Sequence, residues 1–369
     1  MKILYDHQIF VAQKFGGINR YYQEIMQLKG AATEVASINP ELFRPVKSKV
    51  KTDLVSRGTR FLKRTMGLHE QNNTPLFPEE AFNIIKSGEY DIFHPTYYDP
   101  YFLDLTDKPF VLTVYDMIHE IFKEYFALTD RTSHNKLLLC QKAKHIIAIS
   151  QNTKNDLIDI FNLPEDKITV IPLASNFDSV IPVQPQNTEG LKKYILFVGT
   201  RHIYKNFYFP VIALSELLKS DEELQLLCTG HPFTSDEFLF FRDLGILNQV
   251  LHIYPENDNE LSWLYRHAAL FIFPSLYEGF GFPMLEAFGT GCPVIASNGG
   301  SLPEVGNNAA LYFDPKSIQE IQDAAQKVLY DTKLKESLVK NGEAQLKKFN
   351  WETCRAETLA VYKKVYNMT

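Results

Sequence analysis

Short apolar runs that each close on polar residues constrain this chain more than any other feature. Between Tyr90 and Ser150 the runs are DIFHPTYY, PFVLTVYDMIHE and HIIAIS, and beyond residue 192 they return as KYILFVG, ELQLLCTG, VLHIYP and ALFIFP. Uninterrupted apolar strands are what a parallel sheet covered on both faces requires, and the polar residues past their carboxyl ends line a ligand crevice. Helical patterns such as 129–142 and DNELSWLYRHA lie between the runs and supply the crossovers, so the economical reading is an α/β fold with doubly wound sheets. A chain of 369 residues exceeds one core and predicts two domains. The polar, proline-bearing run VIPVQPQNTEG lacks periodicity and predicts a linker over 179–191, dividing a first domain, 1–178, from a second that starts near Lys192.

Composition excludes other classes. With 45% hydrophobic and 22% charged residues the chain is globular rather than disordered, and a net charge of -6 argues against bulk nucleic-acid binding. Cys140, Cys228, Cys292 and Cys354 are widely spaced, with no C-x-x-C and no Cys/His cluster, which predicts buried free thiols rather than disulfides or structural zinc. The start MKILYDHQIF has a charge at Asp6 and no signal-peptide core, and no run reaches the ~20 apolar residues that span a bilayer. The expectation is a cytoplasmic protein, at most lying at the inner face of a membrane. Residues 44–64 carry eight Lys or Arg against the single acid Asp53. That stretch reads either as a solvated face or as a contact with an anionic membrane or a lipid-linked diphosphate.

Chemistry concentrates in residues 271–305, FIFPSLYEGFGFPMLEAFGTGCPVIASNGGSLPEV. A buried strand at Phe271–Phe273 gives way to a loop with Gly279 and Gly281, and Pro283 predicts a helix from near Phe282 to Gly289 or Gly291. Glu278 sits in the loop and Glu286 in the expected first helical turn. Backbone N–H groups approached past Gly279 and Gly281 suit phosphate oxygens, while a carboxylate accepts from hydroxyls: Glu286 suits a ribose diol and Glu278 a sugar. The plainer alternative is that Glu286 complements the helix dipole and Glu278 is solvated. In KYILFVGTRHIYKNF the strand turns at Gly199 toward a helix from about Asn206, and Arg201 and Lys205 in the turn suit a diphosphate. Near the start, KILY is followed by a loop to Gly16-Gly17 and a helical pattern from Ile18 to Leu28, without G-x-G-x-x-G spacing.

EGFGFPMLE, Glu278 to Glu286, followed by GCPVIASNGGSLPEV, resembles the E-x7-E signature of retaining glycosyltransferases of family 4, which have the GT-B fold. The resemblance covers most of the chain and implies two Rossmann-like domains, the second over 192–351, facing a central cleft. It also implies that the terminal helix, about 352–369, crosses back to the first domain. By the same resemblance, Arg201, Lys205 and Asn206 match a G-x-R-x-x-x-K-N diphosphate pattern. Glu278, Gly279, Phe280, Gly281, Phe282 and Glu286 would form the donor loop, and Gly16 and Gly17 the cleft near donor phosphate and acceptor. Tyr254, in the turn that frames the nucleotide base in related enzymes, either stacks on that base or packs in the core. TVYDMIHE resembles the family's T-x-H-D segment but has Tyr115 where many members have His. It therefore offers Asp116 or His119 as the first domain's catalytic residue.

The implied activity is transfer of a hexose, mannose or similar, from a GDP-, UDP- or dTDP-sugar to a saccharide or lipid-linked acceptor, in cell-envelope polysaccharide synthesis. No D-x-D occurs, so a metal-independent reaction without cofactor is expected, its leaving-group charge met by Arg, Lys and helix N-termini. The alternatives are an epimerase or hydrolase of the same fold, or a non-catalytic subunit that binds a nucleotide sugar.

Overall fold

The computed structural model describes residues 1–13, 16–28, 34–37 and 79–368, so the basic stretch 44–64 lies outside the described residues. The first unit holds β1 (Lys2–Tyr5), β2 (Glu34–Ser37), β3 (Ile92–His94), β4 (Val111–Val114), β5 (His145–Ala148) and β6 (Ile168–Val170). Two three-stranded parallel sheets, β2-β1-β3 and β4-β5-β6, meet through a parallel bridge from Phe93 to Phe110. The second unit holds β7 (Lys193–Phe197), β8 (Leu224–Cys228), β9 (Val250–His252), β10 (Leu270–Phe273), β11 (Val294–Ser297) and β12 (Ala310–Phe313). Its six-stranded sheet runs β12-β11-β10-β7-β8-β9, with Leu270 and Phe271 of β10 in register with Ile195 and Leu196 of β7.

The apolar runs are strands because both of their faces are covered. Every residue of β4, β5, β8, β10 and β11 is buried. On one face of the second sheet the helices Tyr208–Ser220 and Ile318–Tyr330 close a core through Val211, Leu214, Ile321 and Val328. The other apolar core is continuous from Ile3 and Tyr22 in the first unit to Phe271 and Leu285 in the second. All four cysteines are buried free thiols.

The last helix, Trp351–Tyr366, starts at Asn350, whose side chain accepts from the Thr353 amide at 2.8 Å. It packs on the first sheet. The Tyr362 hydroxyl lies 2.7 Å from that of Tyr5 and 2.5 Å from His94 Nδ1, and Arg355 pairs with Glu24 at 2.9 Å. Burial holds His94 down at about 3, so its ring is neutral and serves this polar chain as donor and acceptor.

Three details depart from the sequence reading. A short helix, Gln8–Ala12, occupies the stretch read as loop before Gly16-Gly17. The strands β2, β11 and β12 were not among the predicted runs. The helix Phe282–Thr290 begins where Pro283 predicts, but Glu286 falls in its second turn, and the first turn carries no acid. The dipole alternative for Glu286 therefore loses its basis, since that effect fades beyond the first turn.

The two units are clamped beside the cleft. Glu304 accepts from the amides of Gln151 and Asn152 at 2.8 and 3.1 Å, capping the first unit's helix Gln151–Phe161 from the second. Tyr277 donates to Asp156 at 2.6 Å, and Thr153 Oγ1 donates to the Gly279 carbonyl at 3.3 Å. The loop that carries Glu278 is thus held against the end of β4.

Candidate active site

Counted from β7 as the first strand, the second sheet has the order 6-5-4-1-2-3, which reverses between β7 and β10. Loops that leave adjacent strands at such a reversal run to opposite faces and open a crevice above the carboxyl ends. The loop after β7 turns at Gly199, with φ of +119°, and ends at Asn206, which is left-handed with φ of 54°. Asn206 Nδ2 donates to the carbonyls of Pro274 at 3.1 Å and Pro315 at 2.8 Å, and the Leu276 amide donates to the Tyr204 carbonyl at 2.7 Å. These bonds stitch the β7 and β10 loops together. In consequence Lys205 Nζ stands 2.6 Å from Glu278 Oε1, which also accepts from Ser275 Oγ at 2.6 Å. Both donors use Oε1, and Oε2 is left to accept from a ligand hydroxyl.

A cavity of about 710 Å³ runs between the units, lined by Gly16, Gly17 and Arg20 on one side and by Gly199, Tyr254, Phe282 and Glu286 on the other. A Cβ at Gly17 would lie 2.6 Å from the Phe282 ring, so glycine there lets the helix Gly17–Ile25 reach the second unit. Gly16 and Gly17 are therefore part of the cleft and not a remote turn. Tyr254 is 64% exposed, at the junction with a smaller cavity of about 270 Å³ that includes His252 and Gln186. Its ring is open for stacking, and the core alternative does not hold.

Glu286 is buried, and Tyr265 donates to its Oε2 at 3.1 Å. Arg20 crosses from the first unit, with Nη2 2.5 Å from Asp258 Oδ2 and Nη1 3.7 Å from Glu286 Oε1. Burial pushes the Glu286 carboxyl up to about 7, Arg20 and the Tyr265 hydroxyl pulling against it and Asp258 adding to it. Sequence reasoning missed Arg20 and Asp258. The available signal was spacing: Arg20 lies four residues after Gly16, and its amide donates to the Gly16 carbonyl at 3.1 Å.

Arg201 is held by side chains of its own unit. Its Nε lies 2.5 Å from Glu237 Oε1 and its Nη2 donates to the Pro232 carbonyl at 2.9 Å, while the guanidinium stacks on Phe207 and Phe233. Glu237 also closes a capping box with Thr234 at the helix Ser235–Asp243. Arg201 thereby braces the loop against that helix, its Nη1 buried without a hydrogen-bond partner, and like Lys205 it is not among the residues that line the cavity. A Cβ at Gly279 would sit 1.7 Å from the Tyr115 carbonyl, so this glycine makes room for the first unit. Phe280 is buried against Phe282 and Phe349. Gly281 precedes the helix with φ of +136°, a region that disfavours side chains.

Asp116 and His119 share a third pocket, of about 290 Å³, with Phe122, Phe126 and the second unit's His202 and Tyr204. The Asp116 carboxylate accepts from the Ile118 amide at 3.0 Å, and the fully buried Lys136 lies behind it, donating to the Asp116 carbonyl at 2.9 Å and to Glu120 at 2.8 Å. His119 stacks on Phe126 with centroids 4.0 Å apart and lies 3.8 Å from Asp130. Burial, helped by Lys136 and opposed by Asp116 and Asp130, holds the His119 pKa below its ordinary value. The structure thus brings both candidates to one pocket.

Among the described residues no helix is long and apolar enough to cross a membrane, and no three His, Cys, Asp or Glu side chains are grouped to hold a metal ion. The model described as Glycosyltransferase Family 4 matches residues 15–177, and that described as Glycosyl transferases group 1 matches 183–345. O-antigen chain mannosyltransferase B of Escherichia coli is 28% identical over 94% of this chain and 96% of its own length. Among solved structures, sucrose-phosphate synthase from Thermosynechococcus elongatus superimposes with a TM-score of 0.73 at 19% identity, each chain covered fully. Anabaena Alr3699/HepE in complex with UDP-glucose superimposes with a TM-score of 0.71 at 18% identity, over 98% of this chain and 100% of that one. Two parallel α/β units facing a cleft, matched one each by the two glycosyltransferase models, make this chain a GT-B glycosyltransferase of the family-4-like kind.

Proposed function

We propose that this glycosyltransferase is a retaining hexosyltransferase that moves mannose, or a closely similar sugar, from a nucleotide diphosphate donor to a saccharide or lipid-linked acceptor of the cell envelope. The observation that carries the reading is the cavity of about 710 Å³ lined by Arg20, Gly199, Tyr254 and Glu286, with the second unit's β7 and β10 loops also pairing Lys205 with Glu278 at 2.6 Å. The cavity offers Arg20 as a cation for phosphate and Glu286 as an acceptor for a ribose diol, and the Glu278 loop adds a carboxylate for sugar hydroxyls. The name of the Escherichia coli relative supports mannose and an O-antigen-like product, and the UDP-glucose complex of the Anabaena protein supports a nucleotide-sugar donor.

In this reading Tyr254 stacks on the base, Glu286 accepts from the ribose diol, and the diphosphate lies by Gly199 between Lys205 and Arg20. Glu278 Oε2 accepts from the sugar. The bond from the anomeric carbon to the β-phosphate oxygen breaks while the acceptor oxygen bonds to the same face, and the acceptor proton passes to a phosphate oxygen. The nucleoside diphosphate leaves. Its growing charge is met by Lys205 and Arg20 without a metal ion, in a cleft that closure of the two units shields from water.

Thermal unfolding with GDP-, UDP- and dTDP-sugars and their nucleotides, with and without EDTA, tests the donor site. One base class should raise the unfolding midpoint, by the equivalent of about 2.7 kcal/mol at a hundredfold excess over Kd, and the rise should survive chelation. No shift from any of them would overturn the donor assignment of Lys205, Arg20 and Glu286. A shift that vanishes with EDTA would overturn metal independence.

A further inference from the structure

The large cavity between the units carries a charge arrangement that nucleotide binding alone does not call for. Among the described residues that line it, Arg20 is the one Lys or Arg, against the carboxylates Glu256, Asp258 and Glu286. Two of those acids share its guanidinium, Nη2 lying 2.5 Å from Asp258 Oδ2 and Nη1 3.7 Å from Glu286 Oε1. The fork that would grip a diphosphate through two nitrogens is therefore turned to protein carboxylates. Glu286 has a part in the donor reading, as an acceptor for a ribose diol. Asp258 has none there, and an acid on the wall is a poor neighbour for a diphosphate.

Local structure does not explain Asp258 either. It is the first residue of the helix Asp258–His267, but Asn257 supplies the cap, its side chain accepting from the Glu260 amide at 3.1 Å, and Glu260 also meets the helix dipole. Arg20 is out of place by the same rules. It lies near the N-terminus of the helix Gly17–Ile25, the end whose dipole disfavours a cation. Docking of the units explains both. Gly17 lets its helix approach Phe282, and Arg20, three residues on and on the same helix face, is carried across the cleft to Asp258.

We propose that Asp258 competes with the diphosphate for Arg20: the ion pair between the units breaks when a nucleotide binds and forms again when the nucleotide leaves. Asp258 is then a positioning residue that acts on the ligand through Arg20. It holds nucleotide affinity below what the cavity could reach and hastens release of the spent nucleoside diphosphate, a step that sets the rate of many transferring enzymes. The inference rests on the donor reading above, which places the diphosphate beside Gly199 and Arg20.

The test is a double-variant cycle in the full chain, read by calorimetric titration with GDP, UDP and dTDP. Asp258→Asn keeps the size of the side chain and removes its charge, at a position half exposed to solvent. It should bind the preferred nucleotide about twofold to fivefold more tightly than the parent, the worth of a partly exposed ion pair. In steady-state kinetics the same nucleotide, as product, should inhibit it at correspondingly lower concentration. Arg20→Gln should bind more weakly than the parent, and adding Asp258→Asn to it should recover less than the same change gains in the parent. Unfolding midpoints without nucleotide identify any variant that loses its fold. Unchanged or weaker binding by Asp258→Asn would overturn the inference, since a residue that only supports its helix, or that aims Arg20 at the phosphate, gives those results. An equal gain in both backgrounds would overturn it too, reducing Asp258 to a repelling charge. Each of these outcomes leaves the donor reading standing. If neither the parent nor any variant binds a nucleotide, the donor reading fails and this inference falls with it.

Discussion

Glu278→Gln should leave the protein folded and lower kcat by about 10²- to 10³-fold, the loss typical when one preorganised electrostatic group is removed from a transition-state site. The substitution keeps the shape of the side chain and an oxygen for the Ser275 hydroxyl, which donates at 2.6 Å. It removes the charge that holds Lys205, 2.6 Å away, and with it the alignment of that ammonium toward a departing phosphate. The amide also replaces one accepting oxygen by a donor, so the sugar hydroxyl that Oε2 would receive meets the wrong partner. Steady-state kinetics with saturating donor reads the effect. A kcat within a few-fold of the parent would remove Glu278 from the reacting centre.

Glu286→Gln should act in opposite directions on stability and on binding. The carboxyl's pKa is raised from 4.5 to about 7, so the folded state holds a proton that the unfolded chain has released. Stability from this group is therefore greatest below pH 4.5 and falls as pH rises through the interval to about 7, beyond which the cost is constant. At pH 8 the glutamine variant avoids that cost and should be more stable than the parent by about 1 to 3 kcal/mol, the higher figure being the whole shift converted to energy. The amide can still accept from Tyr265. A ribose diol bonds best to the ionised carboxylate, so nucleotide affinity of the parent should rise with pH through about 7. The variant should bind about 10- to 100-fold more weakly at pH 8, the worth of a hydrogen bond to a charged group. Thermal unfolding and nucleotide titration across pH 5 to 9 separate the two effects. A variant less stable than the parent at pH 8, with unchanged affinity, would make Glu286 a structural residue.

How much of this was legible in the sequence follows from how local each feature is. Lys205 and Glu278 were each legible as candidates because both sit just past apolar strands, but their pairing follows from the parallel sheet that brings the ends of β7 and β10 together. Pro283 marked the helix start correctly, but spacing alone did not show that Glu286 lies beyond the first turn. The pairing of Arg201 with Glu237 was not legible because Glu237 is 36 residues downstream and belongs to a helix cap, a contact that no local pattern announces. Arg20 was overlooked for the complementary reason, its partner Asp258 lying 238 residues away in the other unit. Gly279 illustrates a third case. Its glycine was legible, but only the docking of the two units shows that the Tyr115 carbonyl, rather than a ligand, fills the space.

The central claim is that the chain transfers a sugar from a nucleotide donor with retention, and proton NMR of the product's anomeric signal reads it directly. With the nucleotide mannose that stabilises the protein and a methyl mannoside acceptor, in EDTA, the new linkage should carry the same α configuration as the donor, with nucleoside diphosphate released in equal amount. A β-linked product would contradict retention, and free mannose or an isomerised sugar nucleotide formed without acceptor would replace the transferase by the hydrolase or epimerase.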